Sequence, residues 1–217
     1  MIKKIVQKGF TLLEMLVVLS ISTVIIGIVI FNYQDADSSL IMRNLAYEVS
    51  LTVRQAQTYG LGVRDSQELN NAFDIGYGVQ FVTPTSGVAN DTFFLFADTY
   101  NDATGQEYLC NQSDDSSSCA SLAGDEVIDA LSLSRQITFE KICGTPSVGG
   151  ALKCLGDDGP GDVLNIAFKR PNPDAIINLA GTNMNDVTIT LMGRNGAKID
   201  VYVNTAGQIS VQENTSS

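Results

Sequence analysis

The 217-residue chain has no histidine and no tryptophan. Without histidine, the Ser-His-Asp and Cys-His nucleophilic arrangements are excluded, as are the common His-rich metal sites. There is no P-loop and no GxGxxG turn, so the ordinary nucleotide-binding signatures are missing too. Paired carboxylates remain available for acid–base work, but 24 acidic residues create such pairs by chance. The chain reads as a non-enzyme. Basic residues are scarce: 13 Lys and Arg give a net charge of −11. Phosphate recognition needs clustered Lys and Arg, so no direct nucleic-acid binding is expected. The acidity favours solubility outside a membrane and leaves cation binding open.

What is present begins at the N-terminus. Met1 to Gly9 contains Lys3, Lys4 and Lys8 and no acid, and a long apolar run follows from Met15 to Phe31. Basic residues before an apolar segment tend to stay cytoplasmic, which puts the remainder across the membrane. Phe10 to Phe31 is 22 residues, enough at about 1.5 Å each to cross roughly 30 Å of hydrocarbon. A secretory signal peptide would place a small-residue cleavage site after the run. Asn32, Tyr33, Gln34 and Asp35 fit that site poorly, and the small residue Gly9 comes before the run. Glu14 stands just inside the apolar segment, where a carboxylate is costly unless something uses it.

Lys8-Gly9-Phe10-Thr11-Leu12-Leu13-Glu14 closely resembles the class III signal of type IV pilins and type II secretion pseudopilins. The resemblance implies that a prepilin peptidase cuts between Gly9 and Phe10 on the cytoplasmic face. Phe10 becomes an N-methylated first residue and Glu14 the fifth. Glu14 is then expected to pair with the α-ammonium of a neighbouring subunit, which gives a membrane-buried charge a partner and sets axial register. Loss of three lysines would leave ten basic and 24 acidic residues, a net of −14. The implied partners are other pilin or pseudopilin subunits, the peptidase, the membrane and an inner-membrane assembly platform. The implied location is the bacterial inner membrane, single-pass with the head outside the cytoplasm, and then a filament. Many major pilins carry a proline near position 31; none occurs here before Pro84, which suits a minor subunit.

The cysteines are Cys110, Cys119, Cys143 and Cys154, all in the expected exported part, where disulfides form. Three connectivities are possible. Sequential pairing, Cys110–Cys119 and Cys143–Cys154, closes two short loops rich in Ser, Gly or Asp and is the preferred reading. A four-thiolate metal site is the rival, but the short Cys-x-x-Cys units of structural zinc are missing. Asp98, Asn101, Asp102 and Glu107 gather oxygen ligands of the kind calcium prefers. Tyr100 occupies a position where an EF-hand needs an oxygen, so a solvated acidic turn is the preferred reading and calcium the alternative. No other cofactor is expected.

Asn32 to Ser39 is polar and marks the membrane surface, a loosened helix or a fresh N-cap. Leu45, Val49, Val53, Ala56 and Tyr59 or Gly60 then recur at helical spacing as a core-facing stripe. Gly60 and Gly62 are stop signals. Beyond Arg64 the texture turns to short β segments near Ile75–Val82, Thr92–Ala97, Val127–Leu133, Gln136–Ile142, Val163–Phe168, Val187–Leu191, Lys198–Val203 and Gln208–Val211. Asn204-Thr205-Ala206-Gly207 reads as a hairpin turn and Pro171-Asn172-Pro173 as a rigid loop.

The expected fold is α+β and pilin-like, a long N-terminal helix packed on a mostly antiparallel sheet. The expected division is a leader over 1–9, a membrane or filament-core helix over 10–31, its amphipathic continuation over 32–62 and a β-rich head over 63–217. Leu51–Val63, with Arg54, Ala56 and Gln57 before Gly60, and the Val203–Val211 ending resemble H-type minor pseudopilins, as does Phe96–Asp102. The resemblance implies a structural minor pilin or pseudopilin of a type II secretion system or type IV pilus. The alternatives are a major pilin or a membrane-anchored binding protein or adhesin that never polymerises.

Overall fold

The computed structural model describes residues 9–62, 75–82, 91–98, 126–133, 137–155, 163–193 and 196–214, with 31–39 and 126 as backbone only. One helix, α1, runs unbroken over Leu12–Leu61, 50 residues and about 75 Å at the usual rise. No Gly or Pro lies between Gly27 and Gly60 to interrupt it. The fresh N-cap and the loosened helix expected at Asn32–Ser39 are therefore corrected: a helix already nucleated propagates through polar residues. It ends where Gly62 donates its backbone N–H to Thr58 O at 2.9 Å.

The strands are β1 (Gly76–Val82), β2 (Thr92–Asp98), β3 (Glu126–Ser132), β4 (Thr138–Pro146), β5 (Lys153–Cys154), β6 (Val163–Lys169), β7 (Asn172–Leu179), β8 (Thr182–Met192), β9 (Lys198–Asn204) and β10 (Ile209–Glu213). Every pairing is antiparallel, in the path β10-β9-β8-β7-β6-β1-β2-β3, with β4 on the free side of β8 and β5 beside β4. The layout is α+β and pilin-like.

β8 joins two sheets. Its first two residues pair with β7, through Asn178–Asn183 and Leu179–Thr182. From Met184 to Met192 it lies between β4 and β9 instead.

Three β expectations are corrected. Pro171-Asn172-Pro173 is not simply a loop: β7 starts at Asn172 and contains Pro173. This end of β7 has no β8 neighbour, so a residue without an N–H is tolerated there. β8 starts five residues before the expected Val187, because the weak strand formers Asn183, Asn185 and Asp186 lie in a stretch held by pairing to its neighbours. β5 is a two-residue strand with no periodic signal of its own.

Helix residues Met42, Leu45, Ala46, Val49, Val53 and Ala56 are buried, which bears out the expected stripe. They join one core with Val79, Phe81, Leu164, Ile166, Ile189 and Val201 from both sheets. Phe81, Phe93 and Phe139 pack as an aromatic triad with centroids 5.3–6.0 Å apart. Tyr59 meets Tyr77 edge-on at 5.7 Å.

Candidate assembly site

The first 19 residues of α1, Leu12–Ile30, are long and apolar enough to cross a membrane, and none of the segment is buried against the rest of the chain. Leu13, Leu16, Ile21, Val24, Ile28 and others are exposed around the helix. A soluble protein does not leave such a surface in water. The segment fits a single-pass anchor. Two of its three hydroxyls bond back into the helix: Ser20 donates to Val17 O and Thr23 to Ser20 O, each at 2.8 Å.

Gly9, Phe10 and Thr11 precede the helix in non-helical backbone, and Phe10 is 79% exposed. Thr11 is the N-cap, with φ −80° and ψ 150°. Its Oγ1 accepts the backbone N–H of Glu14 at 3.2 Å, and Met15 N–H donates to Thr11 O. Glu14 is thus the third residue of the helix and lies in its first turn. A carboxylate is favoured there by the positive end of the helix dipole. Thr-x-x-Glu is the spacing of a capping box. The sequence carries that signal in the spacing of Thr11 and Glu14. Gly9 and Phe10 directly precede the capped first turn that holds Glu14, and all three residues are exposed.

The expected Cys143–Cys154 bridge is present, and its two cysteines face each other across the β4–β5 pairing. Cys110 and Cys119 lie outside the described residues. So do Asn101, Asp102 and Glu107, while Asp98 closes β2. The described residues contain no group of three or more metal-ligating side chains.

Two segments singled out in the head come together. Arg54 donates to Ile209 O at 3.2 Å and Gln57 to Gly207 O at 3.3 Å, tying the helix to the β9–β10 hairpin. The expected turn is there: Gly207 has φ +73° and donates to Asn204 O at 2.9 Å. A Cβ on Gly207 would also stand 2.6 Å from the Gln57 amide. Arg43 and Glu213 form an ion pair farther down the same strand.

A family model described as the prokaryotic N-terminal methylation motif matches residues 5–30. Over these residues the chain is similar to type IV pilin-like proteins. The match spans Gly9, Phe10, Glu14 and the apolar part of α1, and none of the β-sheet region. No curated protein and no solved structure matches the chain. The motif carries the implication of a structural subunit that assembles with other pilin-like subunits after peptidase processing.

Proposed function

We propose that the chain is a minor pilin or pseudopilin of a type II secretion system or type IV pilus. The observation that carries this reading is the uncovered apolar helix Leu12–Ile30 with Glu14 in its first turn, directly behind Gly9-Phe10. Prepilin peptidase cuts after Gly9, and Phe10 is N-methylated. The subunit waits in the inner membrane with its head outside the cytoplasm, until the assembly platform extracts it. In the filament, the carboxylate of Glu14 pairs with the α-ammonium of Phe10 on another subunit. That pairing resolves the cost of a charge in hydrocarbon for both groups at once. The absence of a proline near position 31 supports the minor over the major assignment, as does the likeness of Arg54, Gln57 and the closing hairpin to H-type pseudopilins.

In the head, Cys110 pairs with Cys119, parallel to the bridge at Cys143–Cys154. Asp102 and Glu107 belong to a solvated acidic turn that follows Asp98, the last residue of β2. A rise in Tm with millimolar calcium, reversed by EDTA, would instead assign them to a calcium site.

The test is incorporation. Glu14→Ala is expected to be processed and inserted as the parent is, yet to be largely missing from sheared filaments. Normal incorporation of the variant contradicts the pairing role. Abundance of the parent in the same sheared fraction separates a minor from a major subunit, and complete absence favours an anchored binding protein.

A further inference from the structure

A strand with one apolar and one polar face has its register fixed by that alternation, because a slip of one residue turns the apolar side outward. β1 and β6 have no such guide. All seven residues of β1 are buried, as are the first six of β6. Both faces of these two strands lie inside the head, so apolar contact alone would accept more than one alignment.

One line of side chains breaks the apolar surface. Gln80 on β1 lies directly opposite Asn165 on β6, Asn165 opposite Asn178 on β7, and Asn178 opposite Asn183 on β8. Four amides thus stand in a row across four strands. The flanking residues Val79, Phe81, Leu164, Ile166, Ile177 and Leu179 belong to the core with α1, so the row occupies the other face. Gln80 is 0%, Asn165 2% and Asn178 4% exposed. Gln80 Nε2 donates to Asn165 Oδ1 at 3.0 Å, and Asn178 Nδ2 to Asn183 Oδ1 at 3.1 Å. Asn178 Oδ1 accepts the Gly181 N–H at 3.0 Å, which ties the row to the β7–β8 turn. The row is not fully satisfied. Among the described residues, Gln80 Oε1 is the one buried side-chain N or O atom with no hydrogen-bond partner. A buried acceptor in that state lowers stability, so added stability does not account for the row.

We propose that the row Gln80–Asn165–Asn178–Asn183 is a register lock, which makes the observed alignment of β1, β6, β7 and β8 the one in which the buried amides meet. A slip of two residues keeps every side chain on its own face. Between β1 and β6 it would set Gln80 against Val163 or Ala167, and Asn165 against Gly78 or Val82. Between β6 and β7 it would set Asn165 against Ile176 or Ala180. Each such slip strands amides among apolar groups without a hydrogen bond. A slip of one residue would carry Gln80 to the face of Val79 and Phe81, into the core with α1. Fixing a register is the best-attested use of polar groups buried at a cost.

The experiment uses the full chain in detergent micelles. Gln80→Met with Asn165→Leu removes the central pair and keeps both volumes close. NMR then reads the alignment of β1 on β6 from backbone amide signals and interstrand Hα contacts. The expected result is a second set of β1 and β6 signals, at about a tenth of the main intensity or more. A single set in the parent register overturns the proposal. The exchanged pair, Gln80→Asn with Asn165→Gln, keeps an amide on each strand at the same level and is expected to give one set. A second set there overturns the proposal as well. If the apolar pair does not fold, Gln80→Val with Asn165→Val, which cannot overpack, takes its place and is read the same way. Failure of both to fold overturns the proposal, because the row would then serve stability and not register.

Discussion

Thr11 and Glu14 stand three positions apart, so the hydroxyl of Thr11 can cap the backbone N–H of Glu14 at the mouth of a 50-residue helix. Removing such a cap costs about 1 kcal/mol. Thr11→Ala in the full chain is expected to speed hydrogen exchange of the amides at positions 12–15 in detergent micelles, and Thr11→Ser to restore the parent rate. Equal rates in all three would mean the cap contributes nothing. Gly60 presents the opposite case, a residue whose role the sequence hides. A Cβ there would stand 2.3 Å from Phe168 O on β6, so the helix and strand backbones approach in a way only glycine permits. The sequence marked Gly60 as a stop signal, yet the helix continues past it to Leu61. The contact that requires glycine is with a strand 108 positions away, which no local pattern reports. Gly60→Ala is expected to cost about 1–3 kcal/mol through overpacking. For a chain of this size that lowers Tm by roughly 2–4 °C per kcal/mol. An unchanged Tm contradicts the contact.

Elements were legible in proportion to how local their causes are. The stripe Leu45, Val49, Val53 and Ala56 follows from helical periodicity alone and is fully buried as expected. The hairpin at Asn204–Gly207 follows from turn chemistry, and Gly207 adopts the positive φ that chemistry implies. β7 was hidden by Pro171 and Pro173, and the early part of β8 by Asn183, Asn185 and Asp186. Both exist because neighbours pair with them, and pairing partners are not written in a strand's own residues. β5 is the extreme case, two residues held to β4 by pairing and by the Cys143–Cys154 bridge. Replacing both cysteines with serine removes a short-loop crosslink of the kind worth about 2–4 kcal/mol. The Tm of the full chain is expected to drop by several degrees while β4 stays paired to β8. No drop on double substitution, or on reduction of the parent, would show that the bridge adds nothing to stability.

At the scale of the whole molecule, the helix divides into two halves with different surroundings. None of Leu12–Ile30 is buried against the rest of the described chain, while the inner face of Met42 to Ala56 is sunk in the head. Ile30 and Met42 are twelve positions apart, about 18 Å of helix. The head thus stands clear of the apolar segment, joined to it by a continuous rod and strapped to that rod through Arg43, Arg54 and Gln57. Pulling on such a helix moves the head with it, which is what a subunit drawn out of a membrane requires. The α+β layout and the anchor were both readable because apolar length and strand alternation are patterns of composition. The partner proposed for Glu14 was not, because it would belong to another chain. The account depends on Gly9-Phe10 being a cut site and Glu14 a residue waiting for the terminus that the cut creates. Mass spectrometry of the mature N-terminus tests this most directly. The account predicts a chain beginning at Phe10, heavier by one methyl group than the unmodified form. An intact Met1, or cleavage after Phe31, would contradict it.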